Sequence, residues 1–265
     1  MRTSSARPRI GVTSRFRQNI RSHSIHEGYV EQVTRAGGLP LVIPCADADG
    51  DLCTSYLSLL DGLLLTGGED MDPAYCSGTV RQPGYTYHPR RDAFEKRLAG
   101  SALDAGIPTL GICRGAQVLH TVTGNPLIGH VPDVNGGRVA HRISLTETSR
   151  HSVTLAEGSK VARAYGERTL KVTSYHHQGL GEQTPGGIRW RVTARADDSL
   201  AEAIEREIER EADAGGGAEG DAGQASWAVG VLWHPELPAD DGPADGAGER
   251  TDPLIAAFVA AAGAS

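Results

Sequence analysis

The segment Ile107-Pro-Thr-Leu-Gly-Ile-Cys113-Arg-Gly115-Ala-Gln117 is an apolar run that stops at a cysteine held between two glycines and then takes on helical character. Gly-x-Cys-x-Gly is the thiol form of a nucleophile elbow, a sharp strand-to-helix turn that exposes one side chain at the carboxyl end of a strand. Gly111 and Gly115 allow the tight backbone approach such a turn needs. The turn also sets its cysteine at a helix N-terminus, whose unpaired N–H groups favour a thiolate. The same residues, taken alone, equally describe a buried cysteine beside turn glycines. Partners elsewhere in the chain decide between the two.

Upstream, short apolar runs alternate with helical patterns: strands at 9–12, 39–43 and 62–66, helices at 26–36, 52–60 and 91–105. That rhythm is α/β. Parallel strands joined by helices gather their active groups at the strands' carboxyl ends, where both Gly67-Gly68 and Cys113 fall, so the two motifs should be neighbours in space. Downstream the chain turns β-rich, with candidate strands at 138–145, 151–155, 170–174, 188–194 and 228–233, which makes the sheet mixed. Residues 200–211 look helical by propensity, yet 200–205 also alternate, and the reading favoured is a strand leading into a solvated acidic stretch. From 209 to 225 nearly every residue is Gly, Ala, Asp or Glu, too little apolar mass to offset ordering, so a mobile surface insertion is expected. A similar stretch at 239–248 precedes a final helix at 253–262 carrying Leu254, Ile255, Phe258 and Val259. The whole chain, 1–265, reads as one domain.

Composition narrows the function. A net charge of −7, with 26 Lys and Arg residues scattered along the chain, gives no footprint for nucleic acid. No window approaches the roughly 20 apolar residues that span a bilayer, and Met1-Arg-Thr-Ser-Ser-Ala-Arg-Pro has no apolar signal core, so a cytoplasmic protein without a membrane partner is expected. Cys45, Cys53, Cys76 and Cys113 form no CxxC pair and no metal-type spacing, which suits a reducing compartment.

A cysteine nucleophile needs a base for its proton, and the base needs an orienting acceptor. Of ten histidines only His234 ends a strong β-run, Trp227-Ala-Val-Gly-Val-Leu-Trp233, and a carboxylate, Glu236, follows two residues later. Spacing alone reaches a thiol hydrolase.

The motifs Thr66-Gly-Gly-Glu-Asp-Met-Asp-Pro73, Gly111-Ile-Cys-Arg-Gly-Ala-Gln117, Ser174-Tyr-His-His-Gln178 and Gly230-Val-Leu-Trp-His-Pro-Glu236 occur in the order found in class I glutamine amidotransferase-like hydrolases. Within that superfamily the chain, from about residue 10 to 258, most resembles the gamma-glutamyl-gamma-aminobutyrate hydrolase group, with its Gly-Gly-x-Asp-x-x-Pro, Arg-Asp-x-Phe-Glu and His-His-Gln motifs. The resemblance implies a flavodoxin-like, mainly parallel sheet with helices on both faces. It implies a triad of Cys113, His234 and Glu236 that cleaves a gamma-glutamyl amide through a thioester. No cofactor and no metal are implied. The expected partner is a small-molecule gamma-glutamyl amide. The alternative is a glutaminase subunit that passes ammonia to a separate synthase, and a homodimer is left open.

In that scheme Cys113 attacks, His234 moves the proton and Glu236 fixes the tautomer, while the backbone N–H groups of Gly68 and Arg114 face the developing oxyanion. Gly67 lets the turn approach the substrate. Gln117 either reaches the glutamyl group or packs between helix and loop. Tyr175, His176, His177 and Gln178 resemble the loop lining the glutamyl pocket; zinc is the rival reading of the paired histidines, but no third ligand sits at recognisable spacing. Asp70, Asp72, Arg91 and Asp92 match family positions and equally suit helix caps or mutual ion pairs; His141 and His151 fit the pattern without an assigned chemistry. The segment Asn125-Pro-Leu-Ile-Gly-His130 departs from the aromatic-bearing loop usual after the elbow helix, which leaves the leaving group undetermined, as do the residues of Tyr85-Thr-Tyr-His-Pro89.

Overall fold

A computed structural model describes residues 6–77, 85–144, 146–184, 189–207, 227–237 and 250–264. Its centre is a mixed sheet in the order Thr169–Ser174, Ser149–Leu155, Trp190–Ala196, Ala201–Arg206, Ala228–Val231, Thr109–Ile112, Gly62–Leu65, Arg9–Thr13, Leu39–Ile43. The last five of these run parallel and the first four join by antiparallel pairing. The strands Gly62–Leu65, Thr109–Ile112 and Ala228–Val231 are buried at every position, as expected of strands covered on both faces. Alternate side chains serve opposite layers: Leu64 packs with Val33, Phe258 and Val259 on one face, while Leu63 and Leu65 pack with Phe94, Leu98 and Leu119 on the other.

The helices form where caps and apolar faces agree. Glu27–Arg35 is capped by His26 and buries Tyr29 and Val33. The helix read at 52–60 spans Gly50–Leu57, because the Asp49 side chain accepts from Asp51 and Leu52 N–H and so starts it earlier. Pro89–Asp104 starts on proline at its first position with His88 as cap. The strand read at 200–205 is Ala201–Arg206. None of the helices among the described residues is long and apolar enough to cross a membrane.

The strand expected at 138–145 does not form in the described part of that stretch, 138–144, which runs in bends. Asn135 takes over the local backbone: its side chain donates to Val139 O at 3.0 Å and accepts from Gly137 N–H at 2.8 Å, an arrangement that competes with a ladder. Ile143 in that stretch is 55% exposed. The stretches 209–225 and 239–248 lie outside the described residues.

The last helix, Pro253–Gly263, is capped by Asp252, which accepts from Leu254 N–H at 2.8 Å and from the Tyr165 hydroxyl at 3.0 Å. Burial pushes its carboxyl from 3.8 up to about 6, against the pull of those hydrogen bonds. Between those values the unfolded chain has released the proton that the folded chain keeps, so this group makes stability fall as pH rises. Asp252→Asn keeps a capping side chain and removes the titration. Relative to wild type it should gain about 3 kcal/mol on going from pH 3.5 to pH 7, a difference that thermal melts of both proteins across that range will measure.

Candidate active site

Strand pairing delivers the two ends of the chemistry to one edge. Thr109–Ile112 and Ala228–Val231 pair in parallel with Ile112 opposite Val231, and Cys113 N–H donates to Val231 O at 2.7 Å. Cys113 and His234 therefore leave the sheet side by side. The backbone of His234 is anchored again, its N–H donating to Thr173 O at 2.9 Å. Cys113 has φ 52° and ψ −107°, a rare conformation for a residue with a side chain, and the helix Arg114–Val122 starts directly after it. The flanking glycines are set by contact: a Cβ on Gly111 would lie 2.5 Å from the Gly115 carbonyl, and one on Gly115 would lie 2.1 Å from Leu65 O.

His234 Nδ1 lies 2.7 Å from Glu236 Oε1. The carboxylate only accepts, so Nδ1 carries hydrogen and Nε2 is the nitrogen left for chemistry. Nε2 is buried without a hydrogen-bond partner among the described residues. Burial alone would lower the His234 pKa, but the charges of Glu236 and of the Cys113 sulfur beside it raise it well above the ordinary value. Burial likewise works against ionisation of Glu236, yet His234 and the Tyr29 hydroxyl hold it below the usual range.

Facing this pair, the Gly67-Gly68 turn is clamped from both sides. Gly67 N–H donates to the Tyr29 hydroxyl at 2.9 Å, and Gly67 O accepts from Arg91 Nη2 at 3.0 Å. A Cβ on Gly67 would sit 3.2 Å from His234 Cε1, and one on Gly68, at φ +154°, would lie 2.1 Å from Arg91 Nη1. What Gly67 offers is close approach, since its N–H is already used. Arg91 is fully buried and pairs with Glu95 at 2.8 Å and Glu69 at 3.0 Å. Arg114 reaches Asp92 and Glu95 from the other side. Glu69, despite burial, is held at about 2 by Arg91 and Arg15. Arg91 and Asp92 thus belong to a buried ion network under the turn and the elbow, where removing one partner typically costs about 3–5 kcal/mol.

The triad, Gly67, Gly68, Arg114, Gln117 and the loop 175–178 all border one cavity of about 350 Å³. They do not all present free groups to it. Gln117 Nε2 donates to Gln178 O at 3.0 Å, and the Gln178 amide both accepts from Met71 N–H and donates to Met71 O. Those side chains brace the wall. His177 is fixed by Asp70 at 2.7 Å and stacked on Tyr85 at 3.8 Å, and His130, from the unusual loop after the elbow helix, meets it at 3.2 Å. His176 contacts Glu202 at 3.2 Å. Tyr175 stands edge-on to His234. Arg114, first residue of its helix, has a backbone N–H without an intrahelical acceptor.

Two contributors were not visible in the sequence, Tyr29 and Arg142, and Tyr85, from the segment the sequence left unplaced, reaches the wall by stacking on His177. Tyr29 occupies an ordinary core position of an amphipathic helix, and only its hydroxyl distinguishes it. Arg142 sits in the stretch read as a strand, with its guanidinium 4.9 Å from the centre of Tyr85 and 5.3 Å from that of Tyr175.

Comparison with known proteins gives the family of the chain. The chain is similar to the Mycobacterium tuberculosis protein Rv2859c, which carries a glutamine amidotransferase name: 34% identical over 245 residues, 89% of this chain and 72% of that one. It is 30% identical to the gamma-glutamyl-gamma-aminobutyrate hydrolase of Escherichia coli O157:H7, over 86% of this chain and 85% of that one. Among solved structures, the glutaminase domain of Trypanosoma brucei CTPS superposes with a TM-score of 0.58 at 14% identity, over 96% of this chain and 93% of that one, which is a likeness of fold alone. The sheet is that of class I glutamine amidotransferases. The Peptidase C26 model matches residues 8–236, and the chain belongs to that family of glutamine amidotransferase-like hydrolases.

Proposed function

We propose that this protein is a cysteine hydrolase of gamma-glutamyl amides that works through a gamma-glutamyl thioester on Cys113. The observation that carries the reading is the 2.7 Å His234–Glu236 hydrogen bond, set beside a positive-φ cysteine at the start of a helix. The Cys113 sulfur attacks the gamma-carbonyl carbon, and negative charge moves to oxygen, toward the backbone N–H groups of Arg114 and Gly68. Collapse breaks the C–N bond as His234 Nε2 protonates the departing amine. His234 then takes a proton from water, hydroxide adds to the thioester, and glutamate leaves as the sulfur regains its charge. Each oxyanion donor is worth roughly 3 kcal/mol in the transition state.

The substrate class is a gamma-glutamyl amide of a small amine that carries a carboxylate, as in gamma-glutamyl-gamma-aminobutyrate. Arg142 supports this reading: it borders the cavity, and its buried Nη2 has no hydrogen-bond partner among the described residues. A guanidinium so placed suits a carboxylate. The test pairs mass spectrometry of a glutamyl adduct on Cys113 with steady-state kinetics on gamma-glutamyl-GABA and gamma-glutamyl-butylamine. The expected result is the adduct, glutamate release from both, and a preference for the first that Arg142→Met lowers about tenfold or more through KM. Failure to release glutamate from any gamma-glutamyl amide while Cys113 remains alkylatable would overturn the proposal. Glutamine turnover only on addition of a co-purifying protein would replace it with a glutaminase subunit.

A further inference from the structure

Four buried side chains that the hydrolase chemistry does not use converge next to the cavity wall: His141, His151, His176 and Glu202. They come from four separate segments: the bends after the helix Val131–Asn135, the strand Ser149–Leu155, the loop after Thr169–Ser174, and the strand Ala201–Arg206. One ligand-type atom from each lies within 4.8 Å of all the others.

The tautomers follow from the partners on the far side of each ring. His141 Nε2 faces the Asp198 carboxylate at 2.8 Å, and that carboxylate also accepts from Asn135 Nδ2 and Leu200 N–H. His151 Nδ1 faces Ser152 O at 3.3 Å and His176 Nδ1 faces Gln178 O at 3.0 Å. Carboxylates and carbonyls only accept, so each outer nitrogen carries the hydrogen. In the neutral rings the inner nitrogens, His141 Nδ1, His151 Nε2 and His176 Nε2, therefore present lone pairs. All three face Glu202 Oε1, at 2.9, 3.8 and 3.2 Å. Lone pairs against a carboxylate repel, and each inner nitrogen that instead donates to Oε1 makes its ring a cation in a buried site while the other rings still turn lone pairs to the same oxygen. His141 Nδ1, His151 Nε2 and Glu202 Oε2 have no hydrogen-bond partner among the described residues.

A cation at the centre resolves the arrangement. Tetrahedral zinc with bonds of about 2.0–2.1 Å has neighbouring ligand atoms about 3.3 Å apart; the three nitrogens lie 2.9, 3.8 and 3.2 Å from Glu202 Oε1, on either side of that value, and all four ligand atoms lie within 4.8 Å of one another. The outer hydrogen bonds to Asp198, Ser152 O and Gln178 O are those that orient metal-bound imidazoles. We infer that His141, His151, His176 and Glu202 form a structural site for a divalent first-row transition ion, zinc by its donor set. Four protein donors leave no open position, so the ion acts as a cross-link. It ties His176, between Tyr175 and His177 of the cavity wall, to the antiparallel half of the sheet.

The test uses the full-length chain without an affinity tag, purified without chelator, with metal content read by inductively coupled plasma mass spectrometry. The expected result is about one zinc per chain. His151→Gln should lower it at least tenfold, while His130→Gln, a histidine outside the four, retains it. Cobalt(II) loaded in its place should give the intense visible bands of a four-coordinate ion. Removing the metal should lower the wild-type melting temperature by roughly 5 °C or more, reversed by added zinc. Another first-row ion at the same stoichiometry, lost in the same variant, supports the site. Wild-type protein that holds less than about a tenth of an equivalent and gains no stability from added zinc overturns it. So does His151→Gln with undiminished metal. These readouts need no substrate, so failure here is separate from failure of the hydrolase reading.

Discussion

Cys113→Ala is expected to lower kcat/KM for gamma-glutamyl amides by at least about 10⁴-fold and to abolish the glutamyl adduct, while the melting temperature stays close to that of wild type. The two halves of that expectation have separate causes. Activity goes because no other thiol borders the cavity; Cys45, Cys53 and Cys76 lie elsewhere. Stability holds because alanine inherits the same φ of 52° and the same strand and helix anchors on either side. Cys113→Gly goes further. A positive φ with this ψ costs a residue with a Cβ on the order of 1–3 kcal/mol, whereas glycine is free to adopt it and loses about 0.5–1 kcal/mol in added chain entropy. The glycine variant should therefore be as inactive as the alanine variant and melt about 2 °C or more above it. Differential scanning calorimetry of the three proteins, with kinetics on the same samples, checks both halves. A glycine variant that melts below the alanine variant would show that the elbow stores no strain; residual turnover within a hundredfold of wild type would remove Cys113 from the nucleophile's role.

Close contact and burial on both faces decide which parts of this molecule could be read from sequence. The elbow was legible because contact forces its glycines: Gly111 and Gly115 have no room for a Cβ, and so mark the turn in the sequence itself. The parallel strands were legible because Leu63, Leu64 and Leu65 are buried on both faces and leave a continuous apolar run. The stretch 138–144 was misread for the opposite reason. Its alternation resembles a strand, but the Asn135 side chain satisfies the local backbone and His141 turns inward to Asp198 and Glu202, long-range partners that no periodicity encodes. His176 illustrates the same limit. Read next to His177 it lacked a third ligand at any recognisable spacing, and the fold brings His141, His151 and Glu202 to it from 35, 25 and 26 residues away. Tyr29 was invisible because its ring sits at a core position while its hydroxyl holds Gly67 N–H, a polar task hidden inside an apolar pattern.

The orientation of His234 rests on Glu236, and replacing that carboxylate by its amide is the sharpest test of the base. Glutamine at 236 matches glutamate in shape, but it can turn its NH₂ toward His234 Nδ1, which would leave the lone pair on Nδ1 and the hydrogen on Nε2, the nitrogen beside Cys113. In that tautomer the ring cannot accept the thiol proton. The amide also removes the charge that does most to raise the His234 pKa, so the imidazolium needed to protonate the departing amine becomes less stable. Loss of the correct tautomer alone is worth roughly 10⁴ in other hydrolases of this triad type. Glu236→Gln should therefore lower kcat/KM by about 10³–10⁴-fold with little change in KM. A merely structural part for Glu236 would lower the melting temperature and leave the kinetics of the surviving folded fraction near normal. The two are separated by acylation followed directly: rapid-quench mass spectrometry should show formation of the Cys113 thioester slowed by the same factor as turnover. Should the variant acylate within tenfold of the wild-type rate, His234 would not depend on Glu236 for its tautomer, and the carboxylate would belong with the supports of the Gly67-Gly68 turn, through its neighbour Tyr29.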